Sequence, residues 1–287
     1  MTSALEQSFK KRLSLIAKER NLTPAEIWQN VITERFLVRL CRSSYHSHFV
    51  LKGGTLLARR IDIGRETKDL DFAIQRLSNE ISVLQKAFDA ILRAQIDDGF
   101  VFSNPAVTPL EHFRMQYPGA HVKIEVRFGK SKFFLFIDLG FGDLVHVQDQ
   151  EFALLSNSKG PLFEPSVTVK CYPMEFVFAE KLETAIFRGA DNSRMKDFHD
   201  LYTLASSEKM LNRTETSKAI RLVFEHRKTP LRLPMQFDAS ALEALQQYWE
   251  RYHKTATASA QLPSQIKEII EAINKFIASS SIESFSI

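Results

Sequence analysis

The segment from Phe49 to Ile74 limits most strongly the folds that this chain can adopt. It reads in turn as a short apolar strand, a glycine turn, a helical pattern and a second strand: Phe49-Val50-Leu51, Gly53-Gly54, Thr55 to Arg60 and Leu70 to Ile74. A strand that runs through a glycine turn into a helix requires a sheet with helices packed on it. We therefore expect mixed helix and strand structure in this part of the chain.

The remaining patterns extend this expectation in both directions. Apolar positions at helical spacing occupy residues 3–20 and 24–42, where Thr23 is a suitable cap and Pro24 suits a first helical position. A helix near 79–96 precedes β-rich runs near 100–108, 121–128 and 132–139, and a further run at 167–171. From Pro173 to about Ile277 the patterns are helical. The predicted fold class is α+β, a mixed sheet with flanking helices followed by a helical domain.

We predict four segments along the chain: N-terminal helices at 1–44, an α/β core at 45–172, a helical domain at 173–278 and a disordered, Ser-rich tail at 279–287. The 287 residues are 44% hydrophobic and 25% charged, as in globular proteins with a sizeable core. No stretch approaches the ~18 apolar residues of a membrane span, and the N terminus lacks the apolar region of a signal peptide. These features predict a soluble, cytoplasmic protein. Cys41 and Cys171 form no disulfide or zinc framework, and we expect both to be core thiols.

Asp69 and Asp71 flank Leu70 in the second strand of this segment. Because side chains alternate along a strand, both carboxylates are expected on one face, with Leu70 and Phe72 facing the core. Carboxylate oxygens on one face suit Mg²⁺ or Mn²⁺, which bridges substrate phosphates during an in-line displacement. A lone Asp-x-Asp is weak, because such pairs also occur by chance.

The preceding turn, Lys52-Gly53-Gly54-Thr55, strengthens the metal interpretation. Glycines let a backbone approach phosphate, and the first turn of a helix presents N–H groups that have no partner within the helix. The alternative is structural: Gly53 and Gly54 make a tight turn and Thr55 caps the helix. With the acidic pair close behind, we favour a triphosphate site.

A third carboxylate is expected from a neighbouring strand. Asp138 ends the apolar run 133–137, where an unpaired charge would be costly and a metal ion would offset that cost. Glu125 is the competing candidate. Asp143 follows Gly140-Phe141-Gly142 and reads as a turn residue.

Together these residues resemble a known family. Leu51 to Thr55 followed by Asp69-Leu70-Asp71-Phe72 is similar to the AbiEii/AbiGii-type nucleotidyltransferase toxins, which include the MenT toxins. Three later stretches, at 137–143, 179–185 and 192–201, are similar to family motifs in the same order, so the resemblance covers roughly residues 45–205. It departs from the family at Thr67, where members commonly have Ser.

The resemblance implies a polymerase-β-like nucleotidyltransferase fold with a helical domain, an NTP co-substrate, Mg²⁺, an RNA acceptor (often tRNA) and a cognate antitoxin protein as partner. Asp69 and Asp71 then correspond to the catalytic pair, Lys181 to the lysine of the third motif and Asp197 to the aspartate of the fourth. The metal ligands become Asp69, Asp71 and Asp138.

For most of these helical residues, a purely structural or solvated role remains an open alternative. Lys181 can be a solvated lysine paired with a neighbouring glutamate, although a phosphate contact is consistent with its place beside an apolar stripe. Arg194 and Lys196 either bind the triphosphate or RNA or lie on a solvated surface. Asp200 can be a structural partner of those two, and His199 a surface or core histidine without a metal.

The net charge is +4, and the excess of Lys and Arg is concentrated between residues 181 and 232. Within it we assign RNA binding to Arg221, Arg227 and Lys228, with a merely solvated helix as the alternative. The leading function is a metal-dependent nucleotidyltransferase toxin that acts on an RNA 3′ end. The alternatives are transfer to a small-molecule hydroxyl and a catalytically silent NTP- or RNA-binding regulator.

Overall fold

The computed structural model describes residues 3–61, 63–65, 67, 69–110, 119–144, 146–207, 209–256 and 261–280. The chain divides into two compact units. The first unit is Met1–Arg60 with Glu66–Tyr172, and the second unit is Ile61–Arg65 with Pro173–Ile287. Both N-terminal helices therefore belong to the same compact unit as the α/β core.

The first unit combines four α-helices and one short 3₁₀-helix with the strands of its sheet, counted over the described residues. The helices are α1 (Ser3–Glu19), α2 (Pro24–Arg42), the 3₁₀ turn His46–His48, α3 (Gly53–Arg60) and α4 (Ile81–Leu92). The strands are β1 (Phe49–Lys52), β2 (Leu70–Ile74), β3 (Phe100–Leu110), β4 (Gly119–Phe128), β5 (Ser131–Phe141), β6 (Gln148–Ala153), β7 (Ser156–Asn157), β8 (Gly160–Pro161) and β9 (Ser166–Cys171).

Seven of the described strands form one mixed sheet in the order β3-β4-β5-β2-β1-β9-β6, and β7 pairs with β8 separately. The pairs β2–β5 and β1–β9 are parallel, and the other pairs are antiparallel. β4 and β5 form a hairpin, with Gly129 at φ +56° in its turn. Between β6 and β9 the chain forms the small β7–β8 ladder.

The helices of the first unit bury one face of this sheet. Trp28 of α2 stacks on Phe133 of β5 with ring centroids 4.6 Å apart, and Phe36 of α2 lies against Phe72 of β2 at 6.4 Å. The predicted start of α2 is confirmed, because the Thr23 hydroxyl accepts a hydrogen bond from the Glu26 amide at 3.2 Å. Since strand residues alternate, the opposite face carries the intervening side chains of the same strands.

Two details differ from the sequence expectations. The helix expected at 79–96 spans Ile81–Leu92, and Gly99, at φ +74°, later turns the chain into β3. Cys171 is buried as expected, but Cys41 is only half-buried and its thiol lies 3.1 Å from the Thr168 carbonyl oxygen. Burial raises the pKa of Cys41 to about 11 and that of Cys171 to about 12, so neither is a reactive thiolate at neutral pH.

The second unit is helical over its described residues. Its helices are α5 (Met174–Arg188), the 3₁₀ turn Gly189–Asp191, α6 (Met195–Ser206), α7 (Arg213–His226), α8 (Ala239–Thr255) and α9 (Ile266–Ser279). Trp249 and Leu245 of α8 and Ile273 of α9 are fully buried in its core. Of the tail predicted at 279–287, Ser279 ends α9, and residues 281–287 lie outside the described residues. None of the described helices is long and apolar enough to cross a membrane.

Candidate active site

Strand pairing in the first unit brings four polar residues into one line across the sheet. Lys52 of β1 is the cross-strand partner of Asp71 on β2, Asp71 is the partner of Asp138 on β5, and Asp138 is the partner of His121 on β4. Directly paired residues point to the same face of a sheet, with backbones roughly 4.8 Å apart. We call Lys52, Asp71, Asp138 and His121 the polar row.

Gly53 is required next to this row for two reasons. Its φ is +67°, a backbone conformation that favours glycine, and a Cβ atom at this position would lie 2.7 Å from Cγ of Asp71. Gly53 and Gly54 open α3, which begins two residues earlier than the sequence predicted. The first turn of this helix therefore starts beside the Asp71 carboxylate, where a helix N-terminus favours negative charge.

Thr55 and Asp69 are connected through the backbone. The Thr55 hydroxyl is buried and donates a hydrogen bond to the Asp69 carbonyl oxygen at 2.8 Å. Thr55 thus fixes the entry to β2, which is a structural role beside its predicted place in the nucleotide site. Asp69 itself is exposed and immediately precedes β2, so the alternation argument for the acidic pair begins one residue outside the strand.

Asp143 is a site residue that the sequence interpretation missed. It does follow β5 in a turn-like segment, but its carboxylate is 7% exposed and forms an ion pair with the Lys52 ammonium. A Cβ atom at Gly140 would lie 3.3 Å from Nζ of Lys52, so the glycine leaves room for this pair. The glycines before Asp143 were the available signal. The ammonium of Lys52 is therefore already paired with a carboxylate when a phosphate binds.

Asp138 is placed differently from the sequence argument. Its side chain is 41% exposed, because it lies on the open face of β5 and not among the apolar residues around it. Nδ1 of His121 lies 2.7 Å from Oδ1 of Asp138. Since a carboxylate only accepts, this geometry puts the hydrogen on Nδ1. The premise of a costly buried charge was wrong, and His121 supplies the partner that was missed.

Glu125, the competing third carboxylate, is on the same face of β4 but four residues from His121, roughly 13 Å along the strand. Its carboxylate accepts from Arg127 at 2.7 Å and lies 2.8 Å from Nζ of Lys132. Hydrogen bonds from Lys132 and Arg127 lower the pKa of Glu125. Glu125 is therefore part of a separate ion-pair group.

The polar row fits a hard divalent cation by the chemistry of its donors. Asp71 and Asp138 present carboxylates from adjacent strands, and Mg²⁺ commonly takes one or two protein carboxylates together with waters and substrate phosphates. Within the described ranges, no group of three or more His, Cys, Asp or Glu side chains is arranged to hold a metal ion by itself.

The second unit contains a different group of charges. Lys181 of α5 lies 2.7 Å from Asp197 and 2.8 Å from Asp200, both on α6. Arg65 meets Asp200 with two parallel contacts, Nε to Oδ1 at 2.8 Å and Nη2 to Oδ2 at 2.6 Å. We call Arg65, Lys181, Asp197 and Asp200 the buried ion cluster, since each side chain is at most 12% exposed.

Electrostatics keeps all four groups ionised. Burial alone would lower the pKa of Lys181, but the carboxylates of Asp200 and Asp197 outweigh it and raise that pKa. Burial opposes ionisation of both aspartates, yet Lys181, with Arg194 beside Asp197 and Arg65 beside Asp200, lowers the pKa of each. The interpretation of Lys181 as a solvated lysine paired with a glutamate is therefore wrong.

Three further residues adjoin this cluster. Arg194 is half-exposed and donates from Nε to Asp197 at 2.6 Å, while Lys196 is exposed on α6. His199 is buried, and its Nδ1 lies 2.6 Å from the Tyr252 hydroxyl. Burial lowers the pKa of His199 to about 4, so it is a neutral core histidine.

Asp200 pairs with Arg65 and Lys181, and not with Arg194 or Lys196 as the sequence suggested. Arg65 gave no local signal, since 135 residues separate it from Asp200.

The predicted RNA-binding residues differ among themselves. Arg221 on α7 and Lys228 are exposed. Arg227 instead contacts the buried carboxylate of Glu183 at 2.8 Å, and the Thr229 hydroxyl donates to the same carboxylate at 2.5 Å. Arg227 therefore forms a structural ion pair, which the sequence did not reveal.

Comparison with known proteins identifies the family and the fold. The profile described as "Nucleotidyl transferase AbiEii toxin, Type IV TA system" matches residues 35–278. The crystal structure of a candidate nucleotidyltransferase from H. pylori shares the fold, with a TM-score of 0.50 and 15% identity over 90% of this chain and 96% of that one. The structure of JHP933 from Helicobacter pylori has a TM-score of 0.47 at 14% identity, covering 88% and 91%. No curated protein matches significantly. The chain belongs to the AbiEii nucleotidyl transferase toxin family of type IV toxin–antitoxin systems and is a nucleotidyltransferase.

Proposed function

We propose that this enzyme transfers a nucleoside monophosphate from an NTP to the 3′ end of an RNA, tRNA in particular, with Mg²⁺ or Mn²⁺ as the required ion. The polar row is the observation that carries the proposal. It sets Asp71 and Asp138 side by side on an open sheet face, next to a helix that begins at Gly53. Anionic phosphates and a cation that bridges them suit this combination.

In the proposed reaction the 3′ oxygen attacks the α-phosphorus, and the bond from that phosphorus to pyrophosphate breaks. Asp69, Asp71 and Asp138 would hold a divalent ion together with the substrate phosphates, and that ion would supply charge neutralisation. Asp138, held by His121, accepts a hydrogen bond from the attacking hydroxyl, orients it and takes up its proton as the new bond to phosphorus forms. The amides at Gly53 and Gly54 and the ammonium of Lys52 bind the triphosphate, with Thr55 fixing the turn.

The family motifs also assign roles in this function to residues of the second unit. We assign Lys181 to the phosphates and Asp197 to its orientation, on the basis of their 2.7 Å ion pair and the family motifs. Arg194 and Lys196, which are exposed, are assigned to the nucleotide or RNA phosphates. Arg221 on α7 and Lys228 just beyond its end are assigned to RNA phosphates, while Arg227 is held by its ion pair with Glu183. The family implies a cognate antitoxin as the protein partner.

The first experiment incubates the purified chain with each labelled NTP, total tRNA and Mg²⁺. We expect label to be transferred to tRNA and abolished by EDTA. Periodate-oxidised tRNA, whose terminal diol is destroyed, is the matched control and should accept no label. Labelling of the oxidised tRNA contradicts attack by the 3′ end. Transfer to aminoglycosides alone indicates a small-molecule acceptor, and NTP binding without any transfer indicates a regulator.

A second experiment tests Lys181. Since a charge-assisted phosphate contact strengthens in the transition state, Lys181→Ala should reduce turnover by about 10²-fold or more while NTP affinity changes less. If affinity weakens and turnover persists, Lys181 binds only the ground state. Asp197→Ala should resemble it, and the double variant should lose less than the sum of the two. Fully additive losses contradict a coupled pair.

A further inference from the structure

The open face of β3, β4 and β5 continues well beyond the polar row. Because side chains alternate along a strand, this face carries every second residue after His121 on β4 and every second residue before Asp138 on β5. They include Lys123, Arg127, Lys132, Phe134 and Phe136, which we call the sheet platform. It adjoins the row directly, since Lys123 is the cross-strand partner of Phe136 one step from the pair His121–Asp138.

Two aromatic rings on the platform face away from the core. Phe134 is 39% exposed, whereas its neighbour Phe133 points to the opposite face of the sheet and stacks on Trp28 of α2. The ring of Phe136 lies nearly parallel to that of His121, with centroids 5.7 Å apart and an interplanar angle of 22°. The rings of Phe134 and Phe136 therefore follow one another along β5, roughly 6.8 Å apart, toward Asp138.

Two lysines lie over the ring of Phe134. Nζ of Lys123 lies 4.3 Å and Nζ of Lys132 5.2 Å from the ring centre of Phe134, within the range of cation–π attraction. Arg127 and Lys132 share Glu125 as their carboxylate partner. Among the described residues, Lys123 forms no ion pair with a carboxylate. The platform thus carries three cations against one acid.

We propose that the sheet platform binds the single-stranded 3′ segment of the RNA acceptor. Bases stack on Phe134 and Phe136, phosphates contact Lys123, Arg127 and Lys132, and the terminal nucleotide reaches Asp138 along β5. Aromatic faces interleaved with cations bind single strands without strong sequence preference, because every base offers a π-face. The charge balance and the continuity with the polar row favour RNA over a protein partner. This inference rests on the proposed function, whose acceptor it places.

The test measures binding of a fluorescein-labelled, 10-nucleotide oligoadenylate RNA to the full chain by fluorescence anisotropy in EDTA. Phe134→Ala and Phe136→Ala should each weaken binding about fivefold or more, since stacking of one base contributes on that scale. Phe134→Trp should retain or exceed the parent affinity. Phe187→Ala, which removes a 47% exposed ring from α5, is the matched control and should bind normally.

Salt dependence separates stacking from charge. Lys123→Gln should flatten the dependence of log affinity on log salt by about 0.7, as expected for one lost contact to a single strand, whereas Phe134→Ala leaves the slope intact. Lys267→Gln removes a 73% exposed lysine from α9 and should leave the slope unchanged.

If both phenylalanine variants bind RNA with the parent affinity, the proposal is overturned. It is overturned in the same way if these variants keep their RNA affinity and instead weaken binding of a protein partner. The assay needs no turnover. If the chain transfers no nucleotide to RNA but the variants show the predicted losses of RNA affinity, the platform is supported and the proposed function fails. Transfer to tRNA at the parent rate by the double phenylalanine variant keeps the function and rejects the platform.

Discussion

The polar row of the first unit and the buried ion cluster of the second unit are built from the same kinds of side chain, but they differ in burial and in how their charges are paired. Asp138 in the row is 41% exposed, whereas Asp200 in the cluster is fully buried. Asp138 lies on an open face where a ligand can compete for its carboxylate, and Asp71 beside it is half-buried. In the cluster every carboxylate oxygen meets a cation of the chain itself, at 2.6 to 2.8 Å.

The difference teaches which charges a variant can lose without unfolding. An open carboxylate is solvated, so its removal costs function and little stability. A buried charge that loses its partner is left unpaired in the core, which costs about 3–5 kcal/mol of stability. Substitutions in the row should therefore cost activity and little stability, whereas substitutions in the cluster, including those at Lys181 and Asp197, should also lower stability. Each prediction below tests one side of that contrast.

The largest effect is expected at the row. Asp71→Asn and Asp69→Asn should each reduce nucleotidyl transfer by about 10³-fold, because the site loses charge where the transition state needs it. The thermal melt should be unchanged or slightly higher, since Asp71→Asn relieves its repulsion with Asp138 and Asp69 is exposed. Asp149→Asn, at a 63% exposed aspartate of the same unit, is the control and should retain activity. Near-normal transfer by either purified row variant rejects the assignment.

The next effect is on stability and belongs to the cluster. Arg65→Ala should lower the free energy of unfolding of the second unit by about 3 kcal/mol, because Asp200 keeps only Lys181 as its partner. The chain has two tryptophans, so a Trp28→Phe background leaves Trp249, in the core of the second unit, as the fluorescent reporter in urea.

Lys218→Ala provides the matched control, since its pair with Glu215 is exposed at both partners, and it should change stability by less than about 1 kcal/mol. Equal losses for Arg65→Ala and Lys218→Ala would remove the contrast between buried and exposed pairs.

A smaller effect depends on pH. The pKa of His199 is lowered from 6.5 to about 4 in the folded chain, so between these values the unfolded chain binds a proton that the folded chain does not. The stability of the second unit should therefore fall as pH decreases from 6.5 toward 4, by up to ~3 kcal/mol.

The aspartates of the cluster have pKa values lowered below 3.8, so their stabilisation is lost only at still lower pH. In the same Trp249 assay, His199→Gln should abolish most of the dependence between pH 6.5 and 4, while the exposed His226→Gln should preserve it. A dependence that survives in His199→Gln has another origin.

The smallest effect concerns the exposed charges of the second unit. Arg221→Gln and Lys228→Gln should each flatten the salt dependence of tRNA binding by roughly 0.7–0.9 and leave the urea midpoint unchanged. Arg227→Gln should instead lower the midpoint, because buried Glu183 loses its cation. If the double variant with Arg221→Gln and Lys228→Gln shows the same dependence of log tRNA affinity on log salt as the parent, that surface is not an RNA site.

The parts of the fold that are local in sequence could be predicted. The strand, glycine turn, helix and strand between Phe49 and Ile74 depend on periodicity and on glycine, and β2 has the predicted bounds. The mixed sheet with helices followed by a helical domain was likewise predicted, since each element shows its own period. The residue similarities also identified the family correctly.

The site was less predictable wherever its geometry depends on pairing between distant segments. The parallel pairing of β2 with β5 sets Asp138 beside Asp71, and antiparallel pairing then adds His121. Neither strand order nor register is encoded within a short window. The partner of Lys52, Asp143, is 91 residues away, and periodicity along one segment says nothing about such contacts.

Arg65 reaches the buried ion cluster from a five-residue segment, Ile61–Arg65, which leaves the first unit after α3 and returns to it before β2. The second unit is therefore not continuous in the chain. A fragment cut at Pro173 would have all five helices of the second unit that the described residues show, but its Asp200 would lack the guanidinium. Exchange of this helical part between related toxins must carry residues 61–65 along with it, so recombination at a single junction yields a hybrid with a mismatched core.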